Sequence, residues 1–396
     1  MIDPTDLFTG EVNREALGEL WGKPAVPVGF YDTTLRDGEQ AVGVVLGPDD
    51  KVAIARALDD FGVDRIEAGF PQVSAEDAEA MRAIVSASLS AEIWGFARAL
   101  AADVDAVCEV GVQSTVIESP VSDLKLAAYG LNRDTLVERV VGAVSHAVAN
   151  GLRVCFFAVD STRADPGFLQ VVLSRAVEAG AKEIAIVDTI GVANPEAAAL
   201  MVSRARGWLG SAVPLHWHGH DDFGLATAAA IAAVRAGATW VQGTINGMGE
   251  RAGNASLAGV AMALEALYGV PNNLRLEQLA HVSRLVQDRS GYALDPWKPL
   301  TGEAVFTRES GAVASQFHDP PAIEPFAPEV VGARRRIALG KKSGLDSIKI
   351  KLAELGLEVP EGRLGDILAE VKRQGARKRG LVTDEELRSM IDPATA

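Results

Sequence analysis

The sequence predicts an α/β fold, a (β/α)8 TIM barrel with a C-terminal lid and helical extension, and three observations predict it. From residue 28 onward, short β-like runs alternate with longer Ala-rich helical stretches. Eight such runs fall at 28–33, 65–70, 92–97, 113–118, 152–159, 183–188, 214–218 and 239–245. Most are nearly continuous apolar segments, as parallel strands covered on both faces should be, and eight β-α units over about 240 residues is the size of a closed barrel. Polar residues also recur at or near the ends of successive runs: Asp37, Glu67, Arg98, Glu118, Asp160, Thr189, His218, His220 and Asn246. Active sites of this fold form on that face. An open doubly wound sheet fits less well, because no Gly-rich dinucleotide turn follows the first run.

The elements follow in order. Residues 1–27 form an N-terminal extension, and 28–270 the catalytic barrel. Helical patterns occupy 48–61, 75–88 and 194–209. Asn194-Pro195 reads as an N-cap followed by proline at the first helical position. Residues 271–344 form a linker and lid subdomain: 272–291 reads as helix, and 292–328 is rich in Pro, Gly and aromatic residues with little periodicity, the composition of a linker or an active-site lid. Residues 345–396 form a C-terminal helical subdomain.

Composition narrows the function. The chain has 396 residues, 48% of them apolar, and a formal net charge of −15. That charge argues against nucleic acid and anionic membrane as partners, since both need a basic face. The two cysteines, Cys108 and Cys155, each sit in an apolar run, so buried free thiols in a reducing compartment are expected. No apolar segment has the length to span a bilayer, and the N-terminus lacks a basic-then-apolar signal pattern. The expectation is a cytoplasmic enzyme.

The run Leu215-His216-Trp217-His218-Gly219-His220-Asp221-Asp222 carries the most chemistry. In an extended strand, residues two apart point the same way, so His218 and His220 can grip one metal ion. Asp37, far upstream in Asp32-Thr33-Thr34-Leu35-Arg36-Asp37-Gly38-Glu39-Gln40, supplies a carboxylate. Two imidazoles and a carboxylate with open positions suit one divalent metal ion (Mg, Mn or Zn) that polarises a carbonyl. A 2-oxo acid can chelate such an ion through its keto oxygen and one carboxylate oxygen.

These two motifs, with Thr244-Ile245-Asn246-Gly247-Met248-Gly249-Glu250-Arg251-Ala252-Gly253-Asn254, resemble the homocitrate synthase and isopropylmalate synthase family over about residues 28 to 345. The stretch Ser119-Pro120-Val121-Ser122-Asp123 resembles the nitrogen-fixation type of homocitrate synthase. The resemblance implies a metal-dependent barrel that condenses acetyl-CoA, as co-substrate, with a 2-oxo acid and releases CoA. It implies Asp37, His218 and His220 as metal ligands, with Asn254 as a further ligand or a support behind them. Arg36 matches the arginine that stabilises the enolate oxygen of the acetyl group. Gln40, Glu67, Arg98 and Thr189 match positions lining the 2-oxo acid site. It also implies a homodimer.

The chain departs from the family at the enolising base. Relatives carry a histidine in a Glu-Ser-Gly-x-His run; here Glu309-Ser310-Gly311-Ala312-Val313 has Val313. The glutamate that accompanies that histidine is replaced by Val159, and a usual histidine by Lys342. Of the six histidines, His318 is the one left in the lid segment, so it is the candidate base, with a solvated loop histidine as the alternative. Arg308 also replaces a common histidine. With Lys342 it adds positive charge, which suits a dianionic acceptor such as 2-oxoglutarate, oxaloacetate or a phosphonopyruvate-like acid, with Arg308 as a substrate contact. Two other readings stay open: a metal-dependent carbon–carbon lyase or aldolase of the same superfamily, and a non-catalytic metal-binding protein.

Overall fold

The computed structural model describes residues 2–25 and 27–391. Eight parallel strands close into a barrel in sequential order: β1 Gly29–Asp32, β2 Arg65–Glu67, β3 Glu92–Arg98, β4 Ser114–Pro120, β5 Arg153–Val159, β6 Glu183–Asp188, β7 Leu215–Gly219 and β8 Trp240–Gly243. Pairing of β1 with β8 completes the ring. Each strand lies within or overlaps a run expected from the sequence, so the barrel expectation is borne out.

Alternation along the strands builds the interior. Tyr31, Trp94, Phe96, Val116, Cys155, Phe157, Ala185 and Val187 point inward and form one buried apolar cluster, the packed core of such a barrel. At the N-terminal ends of the strands the interior turns ionic. Glu183 on β6 accepts two bonds from Arg65, at 2.6 and 3.1 Å. It also pairs with Arg153, and the His216 ring lies 2.6 Å from it through Nε2. The Arg65 guanidinium lies 3.6 Å from the centre of the Trp240 ring and 4.6 Å from that of Trp94, so two aromatic faces cover the charge.

Helices wrap the barrel with their apolar stripes inward. Pro48–Phe61 buries Ile54, Ala55, Leu58 and Phe61, the three-to-four spacing of one helix face. Asn194 caps Pro195–Leu209 by accepting from the Ala197 amide at 2.8 Å. Ser256 caps Leu257–Tyr268 through the Gly259 amide. The 272–291 segment differs from the single helix expected: a turn at Leu276–Gln278 runs into helix Leu279–Ser290. Asn272 explains the delay. Its side chain accepts from the Leu274 amide and donates to Glu265, and such local bonds compete with helix.

The chain divides into two compact units. The first, Glu11–Leu294, contains the barrel and the helix Leu279–Ser290, which packs on Pro48–Phe61. The second comprises residues 2–10 and the described residues from Asp295 onward. It holds a short parallel pair, β9 Thr307–Arg308 with β10 Arg336–Ile337, and helices Leu345–Glu354, Leu364–Lys378 and Asp384–Ile391. Ile337, Leu339, Ile348, Leu352, Ile367, Val371 and Leu387 form its own core. Among the described residues no helix is long and apolar enough to cross a membrane. Both cysteines are free, Cys155 buried and Cys108 partly so.

Candidate metal centre and active site

β7 places His218, and the residue just beyond its end places His220, at the C-terminal end of the barrel, and the turn after β1 brings Asp37 to them. Their ligand atoms all lie within 4.8 Å of one another, and all three side chains are buried. Nε2 of His218 lies 3.5 Å from Asp37 Oδ2, and Nε2 of His220 lies 3.4 Å from it. Three atoms of the cluster, Nδ1 of each histidine and Oδ1 of Asn254, are buried with no hydrogen-bond partner in the protein. Buried polar atoms are normally satisfied. Two imidazoles and a carboxylate with orphaned donor atoms beside them therefore fit a divalent cation. Burial pushes the His218 imidazole down, against the opposing pull of Asp37, which favours the neutral form a metal needs. Burial alone would raise the Asp37 carboxyl. The Arg36 guanidinium and the two imidazoles override it and hold the group well below the usual carboxylate range.

Arg36 is fixed on two sides. Nε donates to Glu67 Oε2 at 2.9 Å and Nη1 to Asp37 Oδ1 at 2.7 Å. Its carbon lies 4.3 Å from the Phe96 ring centre. Nη2 is left buried with no protein acceptor. Burial raises the Glu67 carboxyl to about 7, and the Arg36 charge opposes the rise.

Asn254 reaches the centre from the Gly-rich loop after β8. Its Nδ2 donates to Asp37 Oδ2 at 2.7 Å and to the Met248 carbonyl at 2.9 Å. Both amide hydrogens are thereby used, which orients the side chain with Oδ1 free. The loop is stitched to β7: the Ala255 amide donates to the Gly219 carbonyl and the Asp221 amide to the Gly253 carbonyl. A Cβ on Gly253 would meet the Gly247 carbonyl oxygen at 1.9 Å, and its φ is +89°. Only glycine fits there.

The other sequence candidates are placed as follows. Gln40 lines, with Arg36, Glu39, Lys51, Phe70 and Val73, a cleft of ≈ 550 Å³. The Thr189 hydroxyl accepts from the Asp160 amide at 2.8 Å. Arg98, at the end of β3, turns to Asp103, with bonds of 2.6 and 3.0 Å, and is half exposed. In the second unit, Arg308 donates to the carbonyls of Val305, Thr307 and Ile323, and Lys342 pairs with Glu309 at 3.0 Å. Lys342 thus faces an acid, whereas Arg308 meets only neutral carbonyls. His318 is exposed and makes no side-chain hydrogen bond with a described residue.

Two features escaped the sequence reading. Lys51 is 1% exposed on its helix and pairs with Glu39, at 2.6 Å, and with Asp77. Glu39 in turn accepts from the Leu46 amide, so this lysine pins the turn carrying Asp37. The only signal was a lysine on the apolar face of 48–61. Ser122, Asp160 and Arg163 form a second closed network: Ser122 donates to Asp160, and Arg163 reaches it at 2.8 Å through both Nε and Nη2.

Residues 27–286 match the HMGL-like family, and residues 300–379 match the homocitrate synthase post-HMGL domain-like family. A putative (R)-citramalate synthase of Archaeoglobus fulgidus is 43% identical over 92% of this chain and 75% of its own length. Homocitrate synthase AksA of Methanopyrus kandleri is 42% identical over 96% of this chain and 94% of its own. A probable 2-isopropylmalate synthase of the same organism is 44% identical over 88% and 70%. The fold matches the HMG-CoA lyase of Bacillus subtilis, with a TM-score of 0.61 and 18% identity over 68% of this chain and 95% of that one. The chain belongs to the HMGL-like family, with the homocitrate, isopropylmalate and citramalate synthases. It is an acyltransferase of that group, whose members condense acetyl-CoA with 2-oxo acids. The likeness to lyases extends to the fold alone.

Proposed function

We propose that the chain catalyses a Claisen-type condensation of acetyl-CoA with a 2-oxo acid at the Asp37–His218–His220 centre, giving a 2-hydroxy-2-carboxymethyl acid and CoA. The observation that carries this reading is the junction of that buried donor set with the free Nη2 of Arg36. A divalent cation held by Asp37, His218 and His220, with Asn254 Oδ1 in reach as a further donor, supplies a Lewis acid for the acceptor's keto group. Arg36 directs Nη2 at the thioester oxygen, where negative charge gathers as the methyl group loses a proton. Glu67 and Asp37 hold the guanidinium plane so that this donor does not need to reorganise. Asn254 aims the Asp37 carboxylate. Of the acid-site contacts expected from the sequence we keep Arg36, Gln40, Glu67 and Thr189. Arg98 and Arg308 commit their donors elsewhere.

We infer further that the acceptor carries one carboxylate and an uncharged far end. Three arginines near the strand ends are already paired: Arg98 with Asp103, Arg163 with Asp160 and Arg251 with Asp222. A free-thiol assay with acetyl-CoA and pyruvate, 2-oxoisovalerate, oxaloacetate or 2-oxoglutarate tests both statements. The expected result is thiol release that depends on a 2-oxo acid, with the higher kcat/KM for a monoanionic acid. A preference for a dianion by about tenfold or more would refute the inferred acceptor. No thiol release with any acid would refute the condensation. We also propose the homodimer that the family resemblance implies; light scattering should read twice the chain mass of 41.6 kDa.

A further inference from the structure

Condensation needs a base for the acetyl methyl group, and two of the carboxylates near the strand ends are occupied while a third is fully buried. Asp160 is closed into its network with Ser122 and Arg163. Asp188 accepts from the Thr162 hydroxyl and the Val192 and Ala193 amides. Glu67 is 0% exposed, with Oε2 held by Arg36 and Oε1 buried without a partner in the protein. Glu118 differs. It lies near the C-terminal end of β4, two residues after the inward-pointing Val116, so alternation turns it to the same interior. The register sets it beside Arg98 on β3 and Phe157 on β5. Phe157 in turn packs on the His218 ring, with centres 5.0 Å apart, and lies 5.8 Å from the Arg36 guanidinium. Glu118 is partly open to solvent, and its carboxylate makes no hydrogen bond or ion pair with any described residue.

We propose that Glu118 is the catalytic base that enolises acetyl-CoA in this chain. The inference rests on the condensation proposed above. The Glu118 carboxylate removes a proton from the acetyl methyl group, and the C–H electron pair becomes the C=C bond of the enolate. The thioester oxygen takes the negative charge and accepts from Arg36 Nη2. The enolate carbon then bonds to the keto carbon of the acceptor. The C=O π pair moves onto the former keto oxygen, which takes up the proton from Glu118. Water later cleaves the thioester to free CoA.

The charges around Glu118 suit the role. Burial pushes its carboxyl up, which makes a stronger base; Arg36, Arg98 and Lys125 pull it down, and Asp37 adds a smaller upward push. Val159, on the adjacent strand, has no titratable atom. Because the base must be ionised, the rate falls as pH drops through the Glu118 pKa, which lies above the ordinary 4.5.

The test uses the full chain loaded with metal and compares wild type with Glu118→Gln, Glu118→Asp and Glu118→Ala. Four readouts are taken: kcat, metal content, KM for the 2-oxo acid, and release of deuterium from methyl-deuterated acetyl-CoA into water. The expected result for Glu118→Gln is a loss of kcat of about 10²–10⁴-fold. Deuterium release falls in parallel, while metal content and the KM for the 2-oxo acid are unchanged. Glu118→Asp keeps part of the rate, added formate restores part of the Glu118→Ala rate, and the acidic limb of the pH profile vanishes in Glu118→Gln. An active wild type whose Glu118→Gln form stays within about threefold overturns the inference alone. So does a Glu118→Gln form that loses metal along with activity. A wild type that releases no thiol with any 2-oxo acid overturns the condensation and the base assignment together.

Discussion

Arg36 concentrates the site's chemistry in one side chain. Two of its nitrogens are held by carboxylates and the third is buried without an acceptor in the protein, where the proposal puts the thioester oxygen. Lysine cannot reproduce that planar fork. Arg36→Lys should therefore lower kcat by about 10²-fold or more and leave metal content near wild type, as read by thiol release and elemental analysis. Asn254 acts through Asp37, so Asn254→Ala should weaken metal binding by about 10–100-fold, measured by titration with a competing chelator. At this scale the sequence was legible in part. The His-x-His spacing could be read because strand alternation decides its direction, and Asp37 because it lies in the motif that carries the family resemblance. The partners of Arg98 and Arg308 could not. Asp103 sits on a neighbouring helix, and the carbonyls around Arg308 come from backbone that shows no periodicity.

At the level of elements, the Gly-rich loop after β8 decides whether the ligands meet. It ties Gly219 to Ala255 and Asp221 to Gly253 through backbone bonds, and the Gly247 carbonyl leaves no room for a Cβ at Gly253. Gly253→Ala should cost the centre its metal and its activity while the far-UV spectrum stays that of the wild-type barrel. A fully active Gly253→Ala enzyme would contradict the packing described. The barrel strands were legible because they are buried on both faces and read as apolar runs. Elements of the second unit, such as the two-residue strands β9 and β10, are too short for any period to register.

Over the whole molecule, the ionic interior at the N-terminal ends of the strands sets how the fold responds to acid. Burial would raise the Glu183 carboxyl, but the His216 hydrogen bond and the Arg65 guanidinium hold it well below its ordinary 4.5. His216 is itself pushed down by burial, so it donates as a neutral ring, and Arg65 supplies the positive charge that lowers Glu183. A carboxylate depressed on folding adds stability above its unfolded pKa. That stability drains away as pH falls below 4.5 toward the folded value. Glu183→Gln, which leaves Arg65 without its buried partner, should cost about 3 kcal/mol at neutral pH. It should also flatten the loss of stability below that pH, as followed by urea unfolding. Equal acid sensitivity in the two proteins would remove Glu183 from the account. Everything proposed for the reaction rests on a cation among Asp37, His218 and His220. The most direct test is metal stoichiometry by elemental analysis of purified wild type and His218→Ala, measured alongside thiol release. One divalent ion per wild-type chain is expected, with both metal and activity lost in His218→Ala; a metal-free wild type that still turns over, or a His218→Ala enzyme with full activity, would contradict this.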